Sequence, residues 1–183
     1  MSESGEEKTT LAGGCFWCTE AVFKRLNGVS RVTSGYANGQ GRATYENVSS
    51  GNTGFAEAIQ ITFDPKIIPF KHLLDIFWAT HDPTSLNKQG ADEGTQYRSA
   101  ILYHNPDQQQ QAEASKAKYE TEHPGKPVMT EIVPLQNFFT AEDYHHDYYD
   151  TYKSSNPYCS LVIDPKIEKL VHDFNNDLKA EYK

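Results

Sequence analysis

Two cysteines separated by two aromatic residues are the part of the sequence best suited to chemistry. The stretch Gly-Gly-Cys-Phe-Trp-Cys occupies residues 13–18, between a β-like run at residues 9–12 and a helical pattern at residues 19–26. Two glycines allow a tight turn from a strand into a helix. We therefore expect Cys15 at or near a helix N-terminus, where the positive end of the helix dipole favours the nucleophilic thiolate. Cys18 follows about one helical turn later.

Three interpretations of this cysteine pair compete. A structural zinc site needs four ligands, and Cys159 with the adjacent His145 and His146 offers a poor spacing for the missing ones. A plain pair of packed thiols is the second alternative. Redox or nucleophilic chemistry is favoured over both, because three cysteines in a reducing compartment suit reactive thiols better than a disulfide framework.

Glu57 is a candidate proton donor. Residues 55–63 have the pattern of a strand, in which Glu57 shares one face with Ile59, Ile61 and Phe63. If that face is buried, the pKa of the carboxyl group rises and Glu57 can donate a proton near neutral pH. If Glu57 lies at the solvated end of the strand, it has no such role. The alternation alone leaves both alternatives open.

Two further stretches carry polar residues that suit a site. Asp92 lies in a polar loop at residues 84–96, and such loops commonly hold substrate-binding residues. His145 and His146 belong to a tyrosine- and histidine-rich pattern at residues 141–152 that predicts a helix. Adjacent residues of a helix face different directions. One histidine could therefore orient a neighbour at the site, or both could be surface residues.

The 183 residues fit one domain. Residues 1–8 are charged and small and are expected to form a disordered tail, which leaves residues 9–183 as the domain. Cys159 follows the helix-breaking residues 154–157 and is expected in a mobile segment of the C-terminal part. The other patterns predict strands at residues 29–36, 97–102 and 128–134 and helices at residues 69–81, 105–123 and 165–182.

Composition excludes several classes of partner. The net charge is −8 and no basic cluster occurs, so nucleic acid and anionic membranes are poor partners. Aromatic residues make up 12% of the chain and must supply much of its core. No apolar run reaches membrane-spanning length and no signal-peptide pattern opens the chain, which favours a cytoplasmic location. The glycine-rich residues 35–41 lack both nucleotide-binding fingerprints.

Taken together, the motifs resemble those of the A-type peptide methionine sulfoxide reductases. The resemblance runs from about Thr9 to Cys159, with the motifs in the expected order. The matching stretches are Gly-Cys-Phe-Trp-Cys at 14–18, Gly-Tyr-Ala-Asn-Gly at 35–39, Thr-Tyr at 44–45, Gly-Phe-Ala-Glu-Ala at 54–58, His-Asp-Pro-Thr at 81–84, Gln-Gly-Ala-Asp at 89–92, Gly-Thr-Gln-Tyr-Arg-Ser at 94–99 and Ala-Glu-Asp-Tyr-His at 141–145.

This resemblance implies roles for the residues already singled out. Cys15 resembles the nucleophile that attacks the sulfoxide sulfur, and Phe16 and Trp17 resemble the pocket for the methyl group next to that sulfur. Glu57 resembles the acid that protonates the sulfoxide oxygen. An acid is needed because a sulfoxide is a poor electrophile until its oxygen is protonated. The product is methionine and a sulfenic acid on Cys15.

The remaining implications concern the rest of the site and the fold. Tyr45 and Tyr97 resemble hydroxyl donors to the sulfoxide oxygen, and Asp92 resembles a polar group of the same pocket. The family implies an α+β two-layer fold, with a mixed sheet, flanking helices and long coil. It also implies specificity for the S epimer at sulfur, in free methionine sulfoxide and in oxidised proteins that need repair under oxidative stress.

Recycling is expected to use thioredoxin, with neither a metal nor an organic cofactor, in an enzyme that we expect to be a monomer. Cys18 and Cys159 are both candidate resolving thiols, since many family members have glycine where Cys18 stands. Residues three apart in a helix place their Cβ atoms roughly 5–6 Å apart, whereas a disulfide needs about 3.8 Å. A Cys15–Cys18 disulfide would thus be strained, and Cys159 could easily attack it in a thiol–disulfide exchange.

Two other functions are compatible with parts of the sequence. A general thiol-disulfide oxidoreductase would use Cys15 and Cys18, although such chains usually carry Gly-Pro-type residues between the two cysteines. A methionine-binding or zinc-binding interaction module is the non-enzymatic alternative. Metal-independent turnover of methionine sulfoxide with dithiothreitol would favour the reductase over both.

Overall fold

A computed structural model describes residues 5–183, and a six-stranded mixed sheet forms its centre. The strands are β1 (Glu7–Gly13), β2 (Val29–Ala37), β3 (Ala56–Phe63), β4 (Lys88–Gln89), β5 (Asp92–Glu93), β6 (Ser99–Tyr103), β7 (Glu131–Pro134) and β8 (Phe138–Thr140). The sheet order is β7-β6-β1-β3-β2-β8, and β4 and β5 form a separate hairpin. Only β6 and β7 pair in parallel among the described strands. The predicted α+β class with a mixed sheet is confirmed.

Six α-helices surround the sheet in the described part of the chain. They are α1 (Phe16–Phe23), α2 (Tyr45–Ser49), α3 (Phe70–Thr80), α4 (Pro106–Glu122), α5 (Tyr148–Tyr152) and α6 (Asp164–Phe174). The helices predicted at residues 69–81 and 105–123 correspond to α3 and α4. Asn105 ends the preceding coil by accepting a hydrogen bond from the backbone N–H of Gln108 at 2.9 Å, a normal helix cap. Between residues 5 and 183, no helix is long and apolar enough to cross a membrane.

The two faces of the sheet differ in side-chain size. Large apolar side chains from one face pack with α1 and α3 in the main core; those from the strands include Leu11, Ile59, Ile61, Phe63 and Ile101. The opposite face carries a smaller cluster dominated by alanine, which contains Ala12, Ala37, Ala56, Ala58 and Ala100. Glu57 shares one face of β3 with Ile59 and Ile61, because side chains alternate along a strand. Its side chain therefore points to the main core.

The turn between β1 and α1 brings the central strand directly to the cysteine pair. Gly14 has a φ of 92°, which is the left-handed region that favours glycine. A Cβ atom at this position would lie 2.6 Å from Cγ of Gln89, so a side chain would collide with the loop that leads to Asp92. The glycine therefore allows both the turn and the close approach of that loop.

The first strand begins earlier than the sequence predicts. Glu7 and Lys8 belong to β1, where they pair with Phe63 and Thr62 of β3. These pairings satisfy backbone groups that would otherwise be left to solvent. Part of the predicted disordered tail is therefore a strand, and residues 1–4 of that tail lie outside the described residues.

Residues 141–152 do not form the single predicted helix. A 3₁₀ turn at Asp143–His145 and the short α5 are separated at Asp147, which has a φ of 55°. That left-handed backbone conformation interrupts helical hydrogen bonding. The helix predicted to reach residue 182 also ends early, at Phe174, and Leu178 instead forms an isolated bridge with Leu26.

Candidate active site

Cys15 occupies the N-cap position of α1, as the sequence predicts. Its backbone is non-helical, and its carbonyl accepts hydrogen bonds from the backbone N–H groups of Cys18 at 3.0 Å and Thr19 at 3.5 Å. The side chain of Cys15 is nearly enclosed, with 8% of its surface exposed. The Cys18 side chain, one turn later, belongs to the same buried cluster. The two candidate redox sulfurs therefore lie in one apolar environment at the start of one helix.

Burial decides the protonation of this pair. It raises the pKa of the Cys15 thiol well above its ordinary value, and the hydrogen bond with Cys18 and the charge of Glu57 act in the same direction. A hydrogen bond from the backbone of Trp17 only partly opposes them. The hydrogen bond with Cys15 lowers the pKa of Cys18. The expectation that the helix end makes Cys15 a resting thiolate is therefore wrong, because lost hydration outweighs the helix-end donors.

Glu57 is buried and does not lie at a solvated strand end. The first of the two alternatives that the sequence left open therefore holds. Only 1% of its surface is exposed, and its Oε1 accepts a hydrogen bond from the backbone N–H of Phe16 at 3.2 Å. Burial raises the pKa of the carboxyl group to about 8, although the Phe16 N–H acts to lower it. Glu57 is therefore protonated at neutral pH and lies beside the first turn of α1.

Tyr45 and Tyr97 come from two separate parts of the chain and both lie near Glu57. Tyr45 begins α2, and its backbone N–H donates to Oε2 of Glu142 at 2.9 Å. Burial, followed by the charges of Glu57 and Cys15, raises the pKa of Tyr45 to about 12. Burial and the charges of Glu57 and Asp92 also raise the pKa of Tyr97. Both hydroxyl groups thus remain protonated near neutral pH and can donate hydrogen bonds.

Asp92 approaches the cysteines through a tyrosine that the sequence analysis did not single out. The hydroxyl group of Tyr158 donates to Oδ2 of Asp92 at 2.7 Å, and the Tyr158 hydroxyl oxygen lies 3.8 Å from Sγ of Cys18. Burial is the largest cause that raises the pKa of Tyr158. The structure therefore connects Asp92 with Cys18, and the connection comes from the residue immediately before Cys159.

Trp17 is held by residues 141–149, which we call the aromatic segment. Its ring stacks on Tyr148 with centroids 3.7 Å apart and planes 5° apart. Its indole Nε1–H donates to Nδ1 of His145 at 3.0 Å. Phe16 is fully buried beneath it, with its ring 5.0 Å from that of His145. Trp17 remains half-buried, so its ring forms a partly open apolar surface next to Cys15.

The aromatic segment holds site residues whose roles the sequence left open. His145 is fully buried at the site, as one of the two alternatives anticipated, whereas Nε2 of His146 pairs with the carbonyl of Ala141 at 3.1 Å. Tyr148 and Glu142 were not singled out at all. Glu142 accepts hydrogen bonds from the Tyr36 hydroxyl group at 2.8 Å and from the Tyr45 backbone. The signals in the sequence were the density of tyrosine and histidine and the motif at residues 141–145, which contains Glu142 and His145.

Cys159 is fully buried, which contradicts its predicted place in a mobile segment. It begins a single π-helical turn, Cys159–Ile163, that continues into α6. An apolar cluster encloses it, and the buried members of that cluster are Cys15, Cys18, Ala21, Tyr149 and Ile163. Burial raises the pKa of Cys159, and the charge of Cys18 adds to that effect. The three cysteines therefore meet in one apolar cluster at rest.

The histidines that the zinc alternative would use have other partners. His145 accepts from Trp17, and His146 pairs with the carbonyl of Ala141. Across residues 5–183, no group of three or more histidine, cysteine, aspartate or glutamate side chains has an arrangement that could hold a metal ion. The geometry instead brings together a thiol pair, a protonated carboxyl group and two hydroxyl donors.

Comparison with known proteins agrees with this chemistry. The chain matches the family model described as peptide methionine sulfoxide reductase over residues 7–178. It is 54% identical to the peptide methionine sulfoxide reductase MsrA of Sulfolobus acidocaldarius over 169 residues, which cover 92% of this chain and 95% of that protein.

Solved structures give the same result at the level of the fold. The crystal structure of Mxr1 from Saccharomyces cerevisiae in reduced form is similar with a TM-score of 0.78 and 34% identity, covering 85% of this chain and 90% of that one. Mxr1 in complex with Trx2 is similar with a TM-score of 0.56 and 28% identity, covering 80% of this chain and 87% of that one. Since the family match spans nearly the whole described chain and includes every element of the site, this chain belongs to the peptide methionine sulfoxide reductase family.

Proposed function

We propose that the chain reduces the S epimer of methionine sulfoxide with Cys15 as nucleophile and Glu57 as the acid. The observation that carries this assignment is the buried carboxyl group of Glu57, which has a pKa of about 8 and lies against the turn that begins at Cys15. A sulfoxide becomes electrophilic only as its oxygen gains a proton. Glu57 can supply that proton at neutral pH, where an ordinary carboxyl group is ionised.

In the first step, the Cys15 sulfur attacks the sulfoxide sulfur while the Glu57 proton moves to the sulfoxide oxygen. The hydroxyl groups of Tyr45 and Tyr97 donate hydrogen bonds to that oxygen. Transfer of the oxygen oxidises Cys15 to a sulfenic acid and reduces the substrate to methionine. The thiol proton of Cys15 moves to the Glu57 carboxylate and restores its acid form. The step therefore neither consumes nor releases a net proton.

Substrate orientation comes from the apolar surface next to Cys15. Trp17 presents the partly open ring and Phe16 closes the pocket beneath it. This surface receives the methyl group on the sulfoxide sulfur, while the oxygen points toward Glu57. With the methyl group and the oxygen placed in this way and the sulfur facing Cys15, only one configuration at sulfur directs the rest of the substrate away from the protein. Asp92 completes the polar side of the pocket, and Tyr158 connects Asp92 with Cys18.

Recycling proceeds as a relay through the apolar cluster. Cys18 attacks the Cys15 sulfenic acid, which forms a Cys15–Cys18 disulfide and releases water. Cys159 then attacks Cys18, which frees the Cys15 thiol and leaves a Cys18–Cys159 disulfide. The position of Cys15 and Cys18 within the first turn of one helix supports this order, as does the effect of Cys18, rather than Cys15, on the pKa of Cys159.

Thioredoxin is the proposed reductant of the final disulfide. Its two thiols reduce Cys18 and Cys159 and become a disulfide in turn. The likeness to Mxr1 in complex with Trx2 supports this partner. Because Cys159 is fully buried at rest, we infer that residues around it open before thioredoxin can reach the disulfide.

The remaining assignments concern the substrates, the partners that are disfavoured, and the location and form of the protein. Free methionine sulfoxide and oxidised proteins are the substrates, since Trp17 is reachable at the surface. The net charge of −8 disfavours nucleic acid as a partner. A cytoplasmic monomer that repairs oxidised methionine is the form that we propose.

The test combines one-equivalent turnover with thiol mapping. Reduced enzyme is mixed with one equivalent of methionine sulfoxide, alkylated and analysed by mass spectrometry. Wild type should accumulate the Cys18–Cys159 disulfide, and Cys159→Ser should stop at Cys15–Cys18 after one fast turnover. Cys18→Ser should hold a sulfenic acid on Cys15 that dimedone can trap. Cys15→Ser should release no methionine, because a hydroxyl group lacks comparable nucleophilicity.

Two results would contradict the proposal at different points. Substantial methionine release by Cys15→Ser would remove the assigned nucleophile. A wild type that accumulates only Cys15–Cys159, with normal thioredoxin-dependent turnover of Cys18→Ser, would show that Cys159 resolves the sulfenic acid alone. The relay would then be wrong while the assignment of Cys15 stood.

A further inference from the structure

The position of the Trp17 ring depends on a part of the chain that is distant in sequence. The stack on Tyr148 and the hydrogen bond to His145 both come from the aromatic segment, and the ring of Tyr158 adds an edge-on contact with centroids 5.9 Å apart. Trp17 itself belongs to the first turn of α1. The apolar surface next to Cys15 therefore has the correct shape only when the aromatic segment is docked against α1.

Hydrogen bonds near both ends fix the aromatic segment to the rest of the molecule, in addition to those that Glu142 accepts from Tyr36 and Tyr45. At its start, the N–H of Ala141 donates to the carbonyl of Ser34 in β2 at 2.9 Å. Near its end, the N–H of Asp147 donates to Oε1 of Glu20 at 2.6 Å. Asp147 has the left-handed φ of 55°, an uncommon conformation that surrounding contacts must hold. It lies immediately before Tyr148 and two residues after His145.

Glu20 is unusual because it is a carboxyl group enclosed at the helix–segment junction. Only 4% of its surface is exposed, and its second oxygen, Oε2, accepts from the Ser34 hydroxyl group at 2.9 Å. Buried polar atoms require such partners, and hydrogen bonds to a charged acceptor are the stronger ones. Glu20 follows Trp17 by three residues on α1, so the same helix carries the substrate-facing ring and the group that holds its supporting segment.

Ion pairs of Lys24 with Asp147 and Asp150, and of Arg25 with Asp150, also join the end of α1 to this region, but they hold side chains and not the backbone of Asp147. Lys24 Nζ lies 2.7 Å from Oδ1 of Asp147 and 2.6 Å from Oδ2 of Asp150. The Asp147 side chain is 66% exposed, so solvent and salt screen its attraction to Lys24. Glu20 instead binds the backbone of Asp147 in a buried setting.

We propose that Glu20 is a positioning residue for methionine sulfoxide reduction, which holds Asp147 so that His145 and Tyr148 fix the Trp17 ring. Glu20 does not contact the reacting atoms, because Oε1 and Oε2 are taken by Asp147 and Ser34. Its effect on catalysis rests on the proposed role of Trp17 in binding the substrate's methyl group. Its effect on the Trp17 ring does not depend on that role.

The chain offers an internal control for a direct measurement, since it contains two tryptophans. The Trp17 indole N–H donates to His145, whereas the Trp78 indole N–H donates to Oγ of Ser115 at 2.7 Å in another part of the fold. Nuclear magnetic resonance resolves the two indole N–H signals. In Glu20→Ala, the Trp17 signal should move toward that of an exposed indole and exchange with water about tenfold faster, the scale of one lost buried hydrogen bond. The Trp78 signal should not change.

Single-turnover kinetics provide the catalytic half of the test. In Glu20→Ala, the methionine sulfoxide concentration that gives half-maximal rate should rise ~10-fold, while the limiting rate should fall less than about threefold, because Cys15 and Glu57 keep their positions. Glu20→Gln keeps an oxygen that can accept from Asp147 and should restore most of the affinity. If Glu20→Ala does not fold, Glu20→Asp serves instead, since its shorter side chain cannot reach both Asp147 and Ser34.

Lys24→Met is the matched control, because it removes the ion pairs of Lys24 with Asp147 and Asp150 at the same junction. It should leave the Trp17 indole signal and the half-saturating concentration unchanged. An unchanged Trp17 signal in Glu20→Ala, or an equal change in Lys24→Met, would overturn the inference. A displaced Trp17 signal with unchanged substrate affinity would confirm Glu20 as the residue that positions the ring, and would contradict the proposed role of Trp17 instead.

Discussion

Glu57 Oε1 accepts a hydrogen bond from the backbone N–H of Phe16 at 3.2 Å, which connects the buried acid to the helix that Cys15 begins. The two residues are 41 positions apart in the sequence. Because α1 starts at this point, a single peptide group fixes Glu57, the proposed acid, relative to Cys15, the proposed nucleophile. The Glu57 carboxyl group and the first turn of α1 therefore act as one structural unit, in activity and in stability.

The first prediction concerns the pH dependence of the chemical step. Its rate constant should be level at neutral pH and fall about tenfold per unit above pH ~8, because Glu57 then loses the proton that it donates. Glu57→Gln should slow the step by ~10²-fold or more and remove this decline. Rapid-quench measurement of methionine release gives both profiles. A decline near pH 8 that survives in Glu57→Gln would assign it to another group.

The second prediction is that the same substitution stabilises the fold. Burial raises the pKa of Glu57 from its ordinary value of 4.5 to about 8, so the folded state binds more protons than the unfolded state in that interval. The contribution of Glu57 to wild-type stability therefore falls as pH rises from about 4.5 to 8. The free energy of unfolding of Glu57→Gln, relative to wild type, should increase by about 3 kcal/mol between pH 4 and pH 7.

Urea unfolding at several pH values measures this difference. Glu46→Gln is the control, because Glu46 is exposed and its substitution should show little pH-dependent difference from wild type. A stability difference for Glu57→Gln that stays constant from pH 4 to pH 7 would mean that the folded-state pKa is not raised.

The third prediction concerns the two hydroxyl donors. Tyr45→Phe and Tyr97→Phe should each slow the chemical step, by about tenfold or more, because each removes a hydrogen bond to the developing oxygen charge. The double variant should be slower than either single variant. Tyr103→Phe, in β6, is the control and should retain the wild-type rate. Single-turnover methionine release in both single variants at the wild-type rate would exclude direct donation to the oxygen.

The fourth prediction separates the resolving step from the chemical step. Tyr158→Phe removes the hydroxyl group that lies between Cys18 Sγ and Asp92 Oδ2. Formation of the Cys18 disulfide should slow by about tenfold, because the thiolate on Cys18 loses a donor, while methionine release should stay near wild type. Tyr152→Phe, an exposed ring six residues earlier, should change neither rate. Equal slowing of both steps by Tyr158→Phe would place its hydroxyl group in substrate binding.

Short-range sequence patterns predicted several elements of the site. The glycine pair predicted the turn that places Cys15 at a helix start, and the alternation of residues 55–63 predicted the face on which Glu57 lies. Both depend on neighbours in the chain, since helix starts and strand faces are set by short-range periodicity. The order of the motifs along the chain was sufficient to indicate the family.

By itself, therefore, the sequence determined the cysteine pair and the strand that carries Glu57, and the resemblance of its motifs indicated the α+β class and the family. Only the tertiary structure decided that Glu57 is buried rather than solvated, that burial keeps Cys15 from being a resting thiolate, and that Cys159 is enclosed rather than mobile. It also decided that His145 and Tyr148 hold Trp17. The physical reason is that hydration and long-range contacts are properties of the packed chain, and no local periodicity encodes which distant residue removes water from a given side chain.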